Sequence, residues 1–455
     1  NFHSSNSQQN YSLPMVVLLP FGMITMLLAH APYRLPSSDQ LHTSLSATSD
    51  EEARAATIPQ IPKPSSLHPL LQSSSNTSQT TRFHLVPQLF QSLPPPSTLN
   101  SSLPVTPSSK HTNNPGRKRK ATYAAIISYH GPSFPGGYES NPTLTAATVE
   151  ARLIDRFNSV YREVAPQFPP SHSTNESERT TTTTTTPPIR RMATAGRTDA
   201  RVSARGALVS FVTPHPIPED ANQAFLTCVN SLAEERDVTV QHLQRVDSSF
   251  HATFCTVARE YLYVLPLLSS DSMLPFTSDV DRVAHVCTEL LRPVVGVELD
   301  YFGMSAGNPR TKSNVCTLQT AACWGYDREG CVAFRPVPAD ETETEVVPGF
   351  GASWKQLVEN DAYTGVDVVG CLAFRIKGDR FLRRMVRKVI NSVLQEATLV
   401  LGQGDGDTLQ QQQHGWEQNW KRRVELKDRS QNEPAPSEGL CLWSVEVGEN
   451  ISKSI

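Results

Sequence analysis

Gly196-Arg197-Thr198-Asp199-Ala200 sets an arginine two residues before an aspartate in a short polar turn, ahead of an apolar run from Gly206 to Val212. A carboxylate on a turn between two ordered segments stands at a rim where a substrate can reach it. A guanidinium beside it can meet a phosphate or fill the space left by a base swung out of a stack. The same five residues also suit an ordinary capped turn, because Thr-Asp is common turn chemistry and short motifs recur by chance.

A second cluster is cationic. Arg380, Arg383, Arg384, Arg387 and Lys388 follow i, i+3, i+4, i+7, i+8 spacing, which predicts a helix from Arg380 with one basic face. Leu382, Met385, Val386, Val389 and Val393 form another face that can bury. Five clustered like charges repel unless anions offset them, so phosphate and a carboxylate are natural partners; a plain solvated basic face is the other reading. A third group lies in a strand-like run, where alternation puts Val257, Arg259, Tyr261 and Tyr263 on one side.

The order of four segments narrows these readings. Gly196 to Asp199 is followed by Phe250-His251-Ala252 leading into Arg259-Glu260-Tyr261-Leu262-Tyr263. Then come Phe381-Leu382-Arg383-Arg384-Met385-Val386-Arg387 and a closing run with Ala435, Pro436, Gly439, Leu440 and Leu442. Weaker support comes from Tyr129-His130-Gly131, Phe134 and Gly136. Together they resemble the TruA family of tRNA pseudouridine synthases, over about Thr122 to Val447. The resemblance implies an isomerase that converts uridine to pseudouridine in tRNA, mostly around the anticodon stem-loop, with no cofactor and no metal.

By resemblance, Asp199 is the reacting carboxylate, either as nucleophile or in removing a proton, and Arg387 pairs with it. Tyr261 would stack on the uracil and serve as general base toward C5, and Arg197 would fill the void of the extruded base. Thr198, Arg259, Arg383, Arg384 and Lys388 complete the expected substrate-binding set. The family pattern departs at Arg201, where glycine is usual and a positive φ would strain any other residue. That departure keeps open a catalytically weak or inactive RNA-binding relative. His130 and Gly137-Tyr138 also differ from common family residues, differences expected to touch RNA contacts more than chemistry; Ser203 stands where bacterial members carry histidine but eukaryotic ones commonly serine, and Cys316, where many carry arginine, is expected to alter substrate grip.

The elements that must position these groups read as a strand at Tyr123–Tyr129 and a helix with Val149, Leu153, Phe157, Val160 and Val164 on one stripe. A strand at Gly206–Val212, a helix at Pro218–Glu235 and a strand at Asp237–Val246 follow. The second half reads as a helix at Val280–Arg292, strands at Cys316–Trp324 and Val368–Ile376, the basic helix, and a strand at Leu440–Val447. Mixed strands and helices predict an α+β fold. The resemblance adds two related α/β halves, RRM- or ferredoxin-like, sharing a large mainly antiparallel sheet with a central RNA-binding cleft. The halves are expected at 121–265 and 266–449, with a polar insertion at 166–188, which holds seven consecutive threonines, and others at 338–351 and 402–436.

Composition bounds the rest. Of 455 residues, 35 are proline and 38% are apolar, and residues 32–120 are rich in Ser, Thr, Pro and Gln, so 1–120 reads as a disordered leader with folding from near Ala121. A net charge of −3 argues against nucleic acid on average, but acidic residues gather at Glu341–Glu345 and near both ends, leaving the region from Arg380 basic. The eight cysteines contain no CxxC pair and predict reduced thiols. Met15–Ala31 is apolar and ends in a small-x-small pattern, whereas residues 1–14 carry no Lys or Arg and the chain begins with Asn. With Arg117-Lys118-Arg119-Lys120 it leaves an organelle (plastid or mitochondrion) and the nucleus or cytoplasm as expectations. No membrane partner is expected for the mature domain, and both a monomer and a homodimer fit.

Overall fold

A computed structural model describes residues 82–96, 120–139, 147–164, 187–218, 221–269, 279–307, 313–336, 344–360, 367–402, 420, 423–424 and 433–448. All of them fall in the compact unit Pro62–Ile455. The readings on Met15–Ala31, on 32–81, on Arg117–Arg119 and on the threonine run lie outside the described residues, as does most of 402–436. Among the described residues no helix is long and apolar enough to cross a membrane.

The fold is α+β around a ten-stranded mixed sheet. Its strands are β1 Ala121–Tyr129, β2 Ala193–Thr194, β3 Ser203–Thr213, β4 Val238–Val246, β5 Thr256–Leu268, β6 Glu298–Asp300, β7 Val315–Asp327, β8 Val332–Phe334, β9 Val368–Gly378 and β10 Leu440–Val447. The order is β4-β1-β3-β10-β5-β9-β7-β6, with β2 on β3 and β8 on β7. Every ladder is antiparallel except β10 on β3, which are parallel through Cys441↔Ser203 and Leu442↔Ala204. The last strand therefore slots into the middle and joins the two sides.

β1 is buried at all nine positions and β5 at eleven of its thirteen, so both read as continuous apolar runs rather than alternating ones. The boundary expected at 265/266 is corrected: it falls inside β5, and β5 ladders only with β10 and β9. Glu260 fastens these central strands, its carboxylate taking the Ser444 hydroxyl at 2.7 Å from β10 and the Arg375 guanidinium from β9.

The helices are α1 Val86–Ser92, α2 Val149–Val164, α3 Asn222–Ser231, the single turn α4 Ala252–Cys255, α5 Val280–Leu291, α6 Phe350–Glu359 and α7 Met385–Gly402. The expected stripe of α2 holds at Val149, Leu153, Phe157 and Val160, all buried. Phe157 packs on Phe211 of β3 at 4.8 Å and on Phe225 of α3 at 5.6 Å between ring centroids.

Three expectations change. Residues 82–96 belong to the core and not to a disordered leader: Phe83, Leu85, Val86, Leu89, Phe90 and Leu93 are buried, Phe83 edge-on to Tyr263 of β5. Arg205 of β3 donates through Nε to the Leu93 carbonyl at 3.0 Å, and Gln91 Nε2 donates to the Tyr129 carbonyl at 3.0 Å. The polar stretch placed at 338–351 ends in α6, whose Phe350, Trp354 and Val358 are buried at i, i+4, i+8. The basic helix begins at Met385 and not at Arg380, because Arg384 sits at φ 62° and breaks the helical path before it starts.

Candidate active site

The loop 196–202 joins β2 to β3, and its shape is imposed by the turn that follows β1. Tyr138 N donates to the Thr198 carbonyl at 3.3 Å, and Arg201 N to the Phe134 carbonyl at 3.3 Å. The Thr198 hydroxyl is bonded to the buried Tyr129 hydroxyl at 2.8 Å, and Gly131 N donates to Ser203 Oγ at 3.0 Å. A Cβ at Gly131 would lie 2.3 Å from the Arg201 carbonyl oxygen, so no side chain fits there. The Tyr129–Gly136 block is thus a cradle for the loop backbone. Thr198 is buried within it and faces Tyr129, so its hydroxyl is a loop fastener.

Arg201 occupies φ 66°, the left-handed region that glycine takes freely. The loop therefore keeps its shape with an arginine, at a cost of roughly 1–2 kcal/mol. Arg201 Nε then reaches Glu438 Oε1 at 2.8 Å, just before β10.

Asp199 stands at the loop tip with its side chain 21% exposed. Arg387 Nη1 lies 3.3 Å from its Oδ2, and Arg383 Nε lies 4.0 Å from its Oδ1. Arg387 is in turn locked to the segment before β10: its Nε donates to the Ala435 carbonyl, and its own carbonyl accepts from Ala435 N at 3.0 Å. Burial pulls the Arg387 pKa below the usual guanidinium value, and Asp199 opposes that shift. A guanidinium remains charged over any physiological range, so a fixed cation faces the carboxylate.

Tyr261 lies buried beneath the loop, its hydroxyl 3.6 Å from where a Cβ on Gly196 would be, and its ring is edge-on to Phe381 at 5.1 Å. Burial pushes its pKa up to about 12; Arg259 works against the shift and Asp199 adds to it. At neutral pH it is a phenol. Its ring suits stacking on a base, whereas the expected base role first requires loss of a strongly held proton.

The rest of the expected substrate set divides in two. Arg197, Arg383 and Arg384 are exposed, Arg197 pairing at 3.2 Å with the equally exposed Glu139. Arg259 and Lys388 point inward, which corrects their assignment as RNA contacts. Arg259 donates through Nε to the Ala195 carbonyl at 2.8 Å and through Nη1 to the Asp379 carbonyl at 2.6 Å, clamping the start of the Asp199 loop to the end of β9. Lys388 is buried and its Nζ donates to the Ser305 carbonyl at 2.8 Å. Arg380 is likewise engaged, with the Ser313 and Val315 carbonyls. Sequence reasoning missed Ala435, Glu438 and Phe381, although each lies inside or beside a quoted motif. Among the described residues no group of three or more His, Cys, Asp or Glu could hold a metal ion.

No protein-family model matches the chain. Individual relatives do. The tRNA pseudouridine synthase A of Latilactobacillus sakei is 26% identical over 260 residues, covering 55% of this chain and 79% of the relative. That of Anoxybacillus flavithermus is 26% identical over 274 residues, covering 59% and 87%. A third, from Leptospira biflexa, is 41% identical over 78 residues, 17% of this chain and 28% of its own. Over more than half its length the chain is similar to proteins named tRNA pseudouridine synthase A. Against that background it carries a left-handed arginine at position 201, tied by a salt bridge to Glu438 just before the strand that closes the sheet.

Proposed function

We propose that this chain is a tRNA pseudouridine synthase in which Asp199 is the reacting carboxylate. The observation that carries the reading is the Asp199–Arg387 ion pair, with Asp199 near enough to Tyr261 to raise its pKa, in a chain whose relatives are named tRNA pseudouridine synthase A.

The reaction breaks the N1–C1′ bond of uridine, turns the uracil and closes a C5–C1′ bond. C5 loses its proton and N1 gains one, so no electrons are exchanged with a cofactor. Because the uracil is stacked within the RNA, it must first be extruded, and Arg197 at the exposed edge of the loop is placed to occupy the void. Its pairing with Glu139 has to open for that. Arg387 neutralises Asp199 at Oδ2 and leaves Oδ1, near the more exposed Arg383, to react. Both a nucleophilic and a proton-abstracting role fit that oxygen. The neutral Tyr261 ring provides the stacking floor.

The finer architecture belongs to the same proposal. β4-β1-β3 with α2 and α3 form one half, β10-β5-β9-β7 with α5 and α7 the other, and tRNA lies across the groove where β3 meets β10. The anticodon stem-loop is the proposed region of the target. The left-handed Arg201 supports an active enzyme over a weak relative, since the loop geometry that glycine would give is present.

The test is incubation with an unmodified tRNA transcript, mapping of pseudouridine by carbodiimide adducts, and repetition with Asp199→Ala. Pseudouridine formed by the native chain and abolished with tRNA binding retained is the expected result. tRNA binding without pseudouridine from the native chain would instead make it an inactive relative.

A further inference from the structure

We propose that Phe254, backed by His251, is a platform on which an unpaired nucleobase of the tRNA stacks beside the pocket of the target uridine. The proposal rests on tRNA being the substrate and adds a binding subsite to that reading.

Phe254 is 66% exposed and is the one aromatic side chain among the large apolar residues that the described part of the molecule leaves exposed. Exposed apolar side chains scattered singly are ordinary on a protein surface; Phe254 differs in already carrying a second ring on one face. The His251 ring lies against it at 4.5 Å between centroids with 29° between planes. That covers one side of the phenyl ring and leaves the other open.

The turn that carries the ring, α4, is also pinned, by Ala252 N to Ser210 Oγ at 3.0 Å, by Thr253 Oγ1 to the Thr194 carbonyl at 2.7 Å, and by Gly448 N to the Cys255 carbonyl at 2.9 Å. These bonds make the platform continuous with the catalytic loop. Thr194 Oγ1 donates to the Gly196 carbonyl at 3.1 Å, and Arg259, five residues after Phe254, clamps Ala195. Val257, half exposed, lies at the irregularity where β5 pairs with β10.

A phenyl ring on a pinned turn, with one open side and no charge, takes a flat, apolar-faced partner. In RNA that partner is a base whose faces are free, at a loop or bulge, and stacking of this kind is tolerant of base identity. Burial lowers the His251 pKa, so at neutral pH the pair offers no cation to phosphate. The contact therefore differs in kind from those of Arg197, Arg383 and Arg384, which salt weakens.

The experiment compares the full native chain with Phe254→Ala, Phe254→Leu and Phe254→Trp, measuring dissociation constants for an unmodified tRNA transcript across a salt series. The expected result is roughly ten-fold weaker binding for the alanine and leucine variants, near-native binding for the tryptophan variant, and an unchanged slope of log affinity against log salt. Native affinity in Phe254→Ala overturns the platform. Native affinity in Phe254→Leu also overturns it, because an apolar contact without stacking would then suffice. Should alanine cost folding, the leucine and tryptophan variants still decide. Failure of the native chain itself to bind tRNA or form pseudouridine sinks the functional reading instead, which separates the two failures.

Discussion

At the scale of single residues, the site is a carboxylate held by one buried guanidinium and approached by a second. Arg387 both charges the pocket and is fastened to Ala435, so its two functions can be separated. Arg387→Lys keeps the cation and loses the planar fork. It is expected to lower kcat by about 10²-fold with little change in KM, as removal of a positioned charge-stabilising donor does; single-turnover kinetics on a tRNA transcript reads this directly. Arg201→Gly relieves roughly 1–2 kcal/mol of backbone strain, adds backbone freedom to the unfolded chain and removes a half-exposed ion pair worth about 0–1 kcal/mol. The expected net change in stability is under about 1 kcal/mol, checked by urea unfolding. Arg201 thus shows a limit of motif reading. The sequence makes the conflict visible, whereas its resolution by Glu438, 237 positions later, depends on how β10 enters the sheet.

At the scale of elements, what was legible followed periodicity and what was lost followed its interruption. β10 was placed at Leu440–Val447, α5 within a residue and the buried stripe of α2 at its Val149, Leu153, Phe157 and Val160 positions, because long apolar stripes survive their surroundings. The basic run failed as a helix because one left-handed residue, Arg384, resets the rotation. Lys388 then points into the protein while Arg383 stays outside. The two residues are expected to behave oppositely. Lys388→Ala should destabilise the fold by about 1–3 kcal/mol through the unpaired Ser305 carbonyl. Arg383→Ala should leave the melting temperature nearly unchanged and lower the salt slope of tRNA binding by about one. Equal losses of stability in both variants would contradict this division. α1 and α6 were missed for a related reason: each is short and framed by proline, glycine or acidic residues, and only tertiary packing reveals that Leu89 and Trp354 are core.

At the scale of the whole molecule, the central sheet is lined with buried tyrosines. Burial pushes Tyr129, Tyr138, Tyr261, Tyr263, Tyr301 and Tyr326 above the ordinary value of 10.0. Above that pH the unfolded chain gives up phenol protons that the folded chain keeps, so the unfolded state binds fewer protons and stability falls as pH rises. Unfolding is therefore expected between pH 10 and about 12, with the 295 nm tyrosinate signal and loss of circular dichroism rising together. A gradual 295 nm titration with the dichroism intact would show the rings to be accessible. Net charge hides the other property that matters here, since the chain is at −3 while its Asp199 loop is met by Arg383 and Arg387.

The Phe83–Leu93 stretch sets a boundary for maturation in the cell. Any amino-terminal cut that spares the fold has to fall upstream of Arg82, because a cut nearer Ala121 would strip Phe83 from beside Tyr263 and leave Arg205 without its carbonyl. Sequencing the amino terminus of the protein isolated from its host would locate the scissile bond. The same limit applies to anyone shortening the gene for expression: start codons placed after the proline-rich stretch should yield insoluble product.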